Sequence, residues 1–282
     1  MASVFDGLKK SKEYLICVDS DGCAMDTMNI KHIKCFGPCM VKEWNLEPWK
    51  EDILDRWNDI NLFTMTRGIN RFQGLLMALE EIDRKYTEIE GIDALKAWVD
   101  HASELSNNSL KMEISNTDVP VLRKALAWSE AVNTEIQNLD EKEKLPFPGV
   151  KEALAYAHRF ADIAIVSSAN LQAVMEEWDI YGLLEYTDIV LAQDAGSKAY
   201  CIGELMKKGY APDKILMTGD APGDYKTAQT NGVYYYPILV RHEAESWKEF
   251  KEQAVSRLLE GSYGGAYQLK KIDAFLDNLR KS

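Results

Sequence analysis

The sequence lacks any apolar run long enough to span a membrane, and it lacks an excess of basic residues. Residues 1–12 contain no apolar stretch of secretory length, so we expect a cytoplasmic protein. The formal net charge of -12 opposes binding to nucleic acid or to an anionic membrane surface, since either would require a basic field. We therefore expect a small-molecule partner, bound by a monomer or a homodimer.

Cysteine is scarce as well, with five residues that show no paired CxxC spacing. An odd number without such pairs opposes a disulfide framework. Cys35, Cys39 and His32 could form half of a zinc site, but no second pair follows at zinc-finger spacing. We predict reduced thiols and no structural zinc.

Two acidic clusters are present, and each follows a short apolar run. The runs at 14–18 and 215–218 have the composition of buried parallel strands, whose carboxyl ends meet at one edge of a sheet. Clustered carboxylates repel one another, and a hard cation with oxygen ligands, such as Mg²⁺, relieves that repulsion. The sequence therefore predicts a metal-assisted phosphoryl-transfer site. The two clusters are Asp19-Ser20-Asp21-Gly22 and Gly219-Asp220-Ala221-Pro222-Gly223-Asp224.

The chain between these clusters begins with a helical block. Residues 29–140 show helical periodicity without a convincing strand, and Asn107-Asn108-Ser109 is one of the predicted breaks between helices. Pro146 and Pro148 suit neither a helix nor a central strand, so they mark a hinge. The predicted domains are an α/β core at 1–28 and 146–282 and a helical block at 29–145, with block helices at 51–60, 69–85, 92–105 and 119–139.

Beyond the hinge, strand-like and helix-like segments alternate, which is the signature of βαβ units. Both acidic clusters therefore belong to one parallel sheet. After residue 243 the pattern predicts two helices around 261–265. The predicted strands of this region are 162–166, 188–191, 214–218 and 233–240, and its predicted helices are 150–159, 171–178, 198–208 and 224–230.

Four motifs occur in a fixed order along the chain: Asp19-Ser20-Asp21-Gly22, Val166-Ser167-Ser168-Ala169-Asn170, Gly196-Ser197-Lys198, and Gly219-Asp220 through Asp224. In this order they resemble the haloacid dehalogenase-like hydrolase superfamily. Each motif alone is common by chance, but the ordered set is specific. The resemblance covers roughly 12–28 and 146–240. It implies an α/β fold with a Rossmann-like parallel sheet and a helical cap of the C1 type, inserted between the first and second motifs.

The resemblance also implies a role for each carboxylate. Asp19 is expected to be the nucleophile that forms an aspartyl-phosphate, and Asp21 to be the general acid and then the general base. Mg²⁺ is expected to bind Asp19, Asp220 and the backbone carbonyl of Asp21, and Asp224 either directly or through a water. The family's dehalogenases lack the second aspartate, so Asp21 favours reaction at phosphorus.

Ser167 and Lys198 complete the implied site. Ser167 is expected to donate its hydroxyl and its backbone N–H to a phosphoryl oxygen, with Ser168 as the rival, and Lys198 to supply a positive charge. Both serines could instead cap the following helix, a role for which Asn170 competes. Cys23 stands where the family most often has threonine; thiol catalysis there is disfavoured, because no histidine base lies at a known spacing.

Specificity is expected to come from the helical block. Arg67 and Arg71 flank a predicted helix start and could bind a second anionic group, although exposed arginines on a helix are more often simply solvated. Trp44, Trp49 and Trp57 could line a specificity surface or pack a small helical core.

The leading functional hypothesis is a Mg²⁺-dependent phosphatase that acts on a small phosphorylated metabolite, such as a sugar phosphate or an organic-acid phosphate. A phosphomutase would use the same two aspartates. A phosphonate hydrolase would need an imine-forming lysine, for which Lys31, Lys34 and Lys42 are candidates near the first hinge, although no pattern marks one of them as buried. A non-catalytic regulator is a further alternative, opposed by the complete motif set.

Overall fold

The computed structural model describes residues 4–280, and a parallel sheet lies at the centre of its α/β part. The strand order is β3-β2-β1-β4-β5, and every pairing is parallel, so the carboxyl ends of all the strands lie at one edge. Val18 lies opposite both Ile165 and Thr218. The predicted α/β fold class is confirmed. The strands are β1 (Tyr14–Val18), β2 (Ala161–Val166), β3 (Ile189–Leu191), β4 (Ile215–Gly219) and β5 (Tyr234–Pro237).

The central strands read as continuous apolar runs because both of their faces are covered. All residues of β2 and β4 are buried, and β1 is buried from Leu15 onward. Such strands are typical of parallel sheets flanked by helices. β5 is shorter than the predicted run over 233–240. The chain nevertheless stays in register just past the strand, since the N–H of Ile238 donates to the carbonyl of Gly219 at 2.8 Å.

The segment Asn29–Asp140 forms a compact helical unit with its own apolar core. Trp57 and Trp128 are fully buried in this core, Trp44 is buried at its edge and Trp49 packs against it, so these tryptophans form part of the unit's interior. The helices from Met28 through this unit are α1 (Met28–Lys31), α2 (Gly37–Glu43), α3 (Lys50–Asn58), α4 (Arg71–Lys85), α5 (Ile92–His101), α6 (Asn107–Thr117) and α7 (Pro120–Gln137), with π-helical segments at His32–Phe36 and Asp59–Phe63.

The predicted break at Asn107-Asn108-Ser109 is wrong, because these residues form the first turn of α6. The side chain of Ser106 accepts a hydrogen bond from the N–H of Ser109 at 3.2 Å and caps the helix. Asparagine disfavours helix interiors but is well tolerated at a capped first turn.

The remaining helices flank the sheet in the second compact unit, here called the α/β unit, which comprises the chain up to Met28 and from Glu141 onward. They are α8 (Val150–Ala157), α9 (Leu171–Ile180), α10 (Lys198–Met206), α11 (Pro222–Asn231), α12 (Glu243–Glu249), α13 (Val255–Leu259) and α14 (Ala266–Arg280), with a π-helical segment at Phe250–Ala254 and 3₁₀ turns at Val4–Gly7, Glu141–Glu143, Leu184–Tyr186, Gln193–Ala195 and Pro212–Lys214. A further 3₁₀ turn, Glu47–Trp49, lies in the helical unit.

The second boundary between the units lies at Glu141, somewhat before the hinge predicted at 146. Hydrogen bonds explain the difference: the N–H of Asp26 donates to the carbonyl of Leu145 at 2.7 Å, and the hydroxyl of Tyr181 donates to the carbonyl of Glu141 at 3.3 Å. These contacts attach the charged stretch to the α/β unit. Among residues 4–280, none of the helices has the length and apolar character needed to cross a membrane.

Candidate active site

Three carboxylates converge at the carboxyl edge of the sheet. Asp19 directly follows β1, Asp220 directly follows β4, and Asp224 lies in the first turn of α11. Each can offer a carboxylate oxygen within 4.8 Å of the other two, and all three residues are buried. The two acidic clusters of the sequence therefore meet in space at one point.

Asp224 reaches this point because of how α11 begins. Pro222 starts the helix, and Oδ2 of Asp224 accepts hydrogen bonds from the N–H groups of Asp220 at 3.2 Å and Ala221 at 3.1 Å. An acidic side chain in the first turn satisfies N–H groups that the helix leaves unpaired and favours its dipole. The same carboxylate presses against Gly219, where an added Cβ would lie 2.4 Å from Asp224 Oδ2.

Lys198 connects the carboxylates. Its Nζ lies 2.7 Å from Asp19 Oδ2 and 2.6 Å from Asp224 Oδ1. The lysine is the first residue of α10, which Ser197 caps by accepting the N–H of Tyr200 at 3.2 Å. Burial alone would lower the pKa of Lys198, but the two carboxylates outweigh it, so the pKa is raised and the lysine stays charged.

The site carries more negative than positive charge. Burial raises the pKa of Asp19 well above its usual range; Lys198 opposes this shift, while Asp224 and Asp220 reinforce it. Three carboxylates facing one ammonium group leave a net negative charge that a divalent cation would neutralise. All three side chains offer hard oxygen donors, which are the ligands that Mg²⁺ prefers. The residues present therefore fit a magnesium ion.

Asp21 lies outside this carboxylate group. It is half-buried, and its Oδ1 accepts a hydrogen bond from Thr27 Oγ1 at 2.5 Å. The N–H of Gly22 donates to the carbonyl of Met25 at 2.8 Å, which folds the chain back so that Thr27 can reach Asp21. The sequence carries no signal for this role of Thr27, because a single threonine six residues along the chain belongs to none of the four motifs.

The two serines after β2 differ in exposure. Ser167 is buried and Ser168 is exposed. Asn170 caps α9 by accepting the N–H groups of Gln172 and Ala173, so neither serine serves as that cap. Ser167 Oγ instead accepts the N–H of Ala169 at 3.1 Å.

The expectation for the backbone N–H of Ser167 is wrong in this structure. That group donates to the carbonyl of Leu191 at 2.9 Å as a continuation of the β2–β3 pairing. The hydroxyl of Ser167 is therefore the donor that this residue can offer to a phosphoryl oxygen.

Neither of the two candidate arginines of the helical unit is fully exposed to solvent. Arg67 lies in the turn before α4, is 1% exposed and donates to the carbonyl of Leu62 at 2.6 Å. Arg71, the first residue of α4, is half-buried, with its guanidinium carbon 5.0 Å from the Phe36 ring centroid. It donates to Ser129 Oγ at 3.1 Å and to Asn133 Oδ1 at 2.7 Å.

Two further residues bear on the alternatives. Cys23 is fully buried, and burial, followed by the charge of Asp220, raises the pKa of its thiol well above the usual range. A thiolate is therefore disfavoured at this position.

Lys31 is buried at 9% exposure, which the sequence pattern did not indicate, while Lys34 and Lys42 are exposed.

Comparison with known proteins gives one match by sequence. The model of the haloacid dehalogenase-like hydrolase family matches residues 88–237, which is more than half of the chain but begins after Asp19 and Asp21. No curated protein matches the chain.

The chain also resembles solved structures at low sequence identity. A proposed phosphatase from Clostridium difficile has a TM-score of 0.51 at 15% identity, covering 82% of this chain and 87% of that one. A proposed phosphoglycolate phosphatase from Lactobacillus delbrueckii subsp. bulgaricus has a TM-score of 0.49 at 14% identity, with 94% and 99% covered. A haloacid dehalogenase-like hydrolase from Streptococcus pneumoniae has a TM-score of 0.49 at 12% identity, with 84% and 90% covered.

Proposed function

The chain belongs to the haloacid dehalogenase-like hydrolase family and is a hydrolase, and we propose that it is a Mg²⁺-dependent phosphatase acting on a small phosphorylated metabolite. Sugar phosphates and organic-acid phosphates are the favoured substrate classes. The observation that carries the proposal is the buried group of Asp19, Asp220 and Asp224 with Lys198 bridging two of its members. Such a group is suited to holding a cation and a transferring phosphoryl group together.

In the proposed reaction, a carboxylate oxygen of Asp19 attacks phosphorus, and the bond between phosphorus and the leaving oxygen breaks. Asp21 gives its proton to that oxygen, so the product leaves as an alcohol and Asp19 becomes an aspartyl-phosphate. Asp21 then takes a proton from water, which attacks the phosphorus and restores the Asp19 carboxylate. The hydrogen bond from Thr27 holds Asp21 in place for both steps.

Asp19, Asp220, Asp224 and the backbone carbonyl of Asp21 would hold the Mg²⁺ ion. When bound, the ion would supply positive charge that shields the attack of one anion on another. Lys198 neutralises part of the carboxylate charge and orients Oδ2 of Asp19 through its 2.7 Å contact.

A phosphoryl oxygen would take its hydrogen bond from a serine after β2. We assign this role to the buried hydroxyl of Ser167 rather than to the exposed Ser168, because a donor held out of water is preorganised.

We also propose that Arg71 contributes to substrate specificity. Its guanidinium hydrogen bonds involve neutral oxygens of Ser129 and Asn133, and within residues 4–280 no ion pair forms on it. A partly buried guanidinium without a carboxylate partner is suited to an anionic group, such as a carboxylate or a second phosphate of the substrate. Arg67, held within the unit by the carbonyl of Leu62, is a structural residue in this proposal.

The test is phosphate release from a panel of phosphorylated metabolites, with Mg²⁺ or with excess chelator. We expect release by the native protein with Mg²⁺ alone, and none by a folded Asp19→Asn variant. Asp213→Asn is the matched control, because Asp213 is an exposed aspartate in the turn before β4. Undiminished release by folded Asp19→Asn would refute the nucleophile assignment. Turnover that requires a bisphosphate would support the phosphomutase alternative instead.

The burial of Lys31 favours one second candidate, a phosphonate hydrolase that forms an imine with its substrate. An imine forms when a lysine amine attacks a carbonyl group of the substrate and water leaves. Borohydride would trap such an imine as a stable adduct on the peptide that contains Lys31. The absence of an adduct with a carbonyl-bearing phosphonate would exclude this candidate.

A further inference from the structure

The loop after β1 is held by two tryptophans that belong to none of the four motifs. This loop, Asp19–Cys23, carries both aspartates of the proposed reaction. Nε1 of Trp178 in α9 donates to Ser20 Oγ at 2.9 Å across 158 residues of sequence, and Nε1 of Trp247 in α12 donates to the carbonyl of Cys23 at 2.9 Å across 224 residues. Both tryptophans and Ser20 are fully buried.

Ser20 forms backbone hydrogen bonds to several residues of this loop and of the turn that follows it. Its N–H donates to Asp19 Oδ1 at 2.8 Å, so the orientation of the Ser20 peptide bears directly on the Asp19 carboxylate. Its carbonyl accepts the N–H groups of Cys23, Ala24 and Met25 at 3.3, 3.0 and 2.9 Å. A displacement of Ser20 would therefore disturb both the nucleophile and the turn that leads to Asp21.

Packing alone does not explain why position 178 is a tryptophan. Trp178 lies in the apolar core of the α/β unit, where a phenylalanine would retain most of the apolar contact. The indole also brings a polar N–H that must find an acceptor when buried. Here the acceptor is the side chain of the residue between the two aspartates, not a carbonyl of the surrounding scaffold.

We propose that Trp178 is a positioning residue for catalysis, which acts through Ser20 to fix the Asp19 carboxylate and the turn that carries Asp21. Trp247 ties the far end of the same loop. The expected effect on turnover rests on the proposed function. The hydrogen bond from Trp178 to Ser20, here called the tether, is a property of the fold and does not depend on that function. Its consequence is that the apolar core of the α/β unit contacts the residue between the two aspartates through the hydrogen bond from Trp178 to the Ser20 side chain.

The test compares Trp178→Phe with Trp128→Phe. Trp128 is also fully buried, and its Nε1 donates to the carbonyl of Phe36 at 3.1 Å inside the helical unit, so the same chemical group is removed from a similar environment. We expect Trp178→Phe to lower kcat about 10- to 100-fold, since small misplacements of reacting groups have effects of this size. KM should change less than about threefold, and Trp128→Phe should keep kcat within about twofold.

A double-mutant cycle tests whether Trp178 acts through Ser20. Ser20→Ala should lower kcat as Trp178→Phe does, and the double variant should lose little more than either single variant. Additive losses would overturn the proposed route through Ser20. If native protein and Asp213→Asn are active and Asp19→Asn is not, an unchanged kcat in folded Trp178→Phe would refute this inference and leave the proposed function standing.

Hydrogen exchange measures the tether without a substrate. The amides of residues 20–25 should exchange at least about tenfold faster in Trp178→Phe and in Ser20→Ala than in the native protein, and Trp128→Phe should leave them unchanged. Unchanged protection in both loop variants would overturn the inference, whether or not phosphate release is observed. If no metabolite is hydrolysed, faster exchange confined to these amides would still support the tether.

Discussion

At the residue scale, the site depends on how closely Asp224 approaches the end of β4. An added Cβ at Gly219 would lie 2.4 Å from both Asp224 Cγ and Asp224 Oδ2, too close for any heavy atom. Glycine is therefore required by close approach of a carboxylate rather than by a turn. Because glycine has no side chain, Asp224 can approach closely enough to form an ion pair with Lys198, which also pairs with Asp19.

Replacing this glycine should displace Asp224. We expect Gly219→Ala to weaken Mg²⁺ binding by about 10- to 100-fold, as loss of supporting contacts around a metal site generally does. Isothermal titration with Mg²⁺ measures the change. Gly223→Ala is the control, because its Cβ would meet nothing within 4 Å. Equal Mg²⁺ affinities in the two variants would contradict this account of Gly219.

Arg71 should matter for the substrate and not for stability. Burial lowers the pKa of Arg71, which reflects the loss of water around its charge. Removing a desolvated charge that lacks an ionic partner is often neutral or stabilising, so Arg71→Met should change the free energy of unfolding by less than about 1 kcal/mol. The same variant should raise KM for anionic metabolites about tenfold or more.

Arg56→Met provides the comparison for Arg71. Arg56 is exposed in the same unit and pairs with Glu81 through Nε at 2.8 Å and Nη2 at 2.7 Å. Chemical denaturation and steady-state kinetics of both variants separate the two effects. An unchanged KM in Arg71→Met, or an equal rise in Arg56→Met, would remove Arg71 from the specificity proposal.

Residues that act through local motifs could be predicted from the sequence, and residues that act through distant contacts could not. Asp19, Asp220 and Asp224 each follow a strand directly or within a helical turn, so their convergence follows from the topology of a parallel sheet. Trp178 meets Ser20 across 158 residues, and no pattern in either segment indicates that pairing.

At the scale of elements, one buried carboxylate connects three segments of the chain at the amino ends of the strands, opposite the candidate site. Asp162, near the start of β2, accepts hydrogen bonds from the N–H and Oγ of Ser11 at 2.9 and 2.5 Å, the N–H of Lys12 at 3.0 Å and the hydroxyl of Tyr210 at 2.5 Å. These bonds attach the segment before β1 and the segment before β4 to β2. Burial alone would raise the pKa of Asp162, but the hydrogen bonds prevail and lower it.

Asp162→Asn should therefore destabilise the protein in a pH-dependent way. A carboxyl whose folded-state pKa is lowered stabilises the fold above its unfolded pKa of about 3.9, and this contribution is lost as the pH falls through the folded-state value. We expect Asp162→Asn to lower the free energy of unfolding by about 2–4 kcal/mol at pH 7, with a smaller difference below about pH 4. Urea denaturation across this range measures the difference, with Asp213→Asn as control. A difference that does not depend on pH would contradict the account.

Several elements begin at or near the predicted residue, including the helices α5, α8, α9 and α10. β1 and β2 lie within a residue of the predicted segments, because apolar runs bounded by polar residues mark buried strands well. The start of α6 was missed because its first turn consists of residues with low helix propensity, and only the cap by Ser106 makes them helical.

At the scale of the whole molecule, the net charge of -12 is opposite to what an anionic substrate would favour. A phosphorylated metabolite must therefore be attracted by local positive charge, and the group around Lys198 does not supply enough of it without a cation. Binding of a cation to the folded state alone also stabilises that state, because of mass action.

Mg²⁺ should therefore raise the melting temperature of the native protein in a concentration-dependent manner. At a hundred times the dissociation constant the stabilisation should approach about 2.7 kcal/mol. Asp220→Asn should lose this response, and Asp213→Asn should keep it. Thermal denaturation of the three proteins across a series of Mg²⁺ concentrations tests the expectation. An equal shift in all three would show that the ion binds elsewhere.

The central claim is that Asp19 accepts the phosphoryl group, and trapping that intermediate tests it most directly. Asp21→Asn lacks the group that activates water, and an aryl phosphate such as p-nitrophenyl phosphate has a leaving group that needs no proton from Asp21. The phosphorylated protein should therefore accumulate when this variant is mixed with such a substrate and quenched in acid. Mass spectrometry should find one phosphoryl group on the peptide that contains Asp19, and none in Asp19→Asn. A phosphoryl group on a different residue of the native protein, or a persistent adduct in Asp19→Asn, would contradict the account.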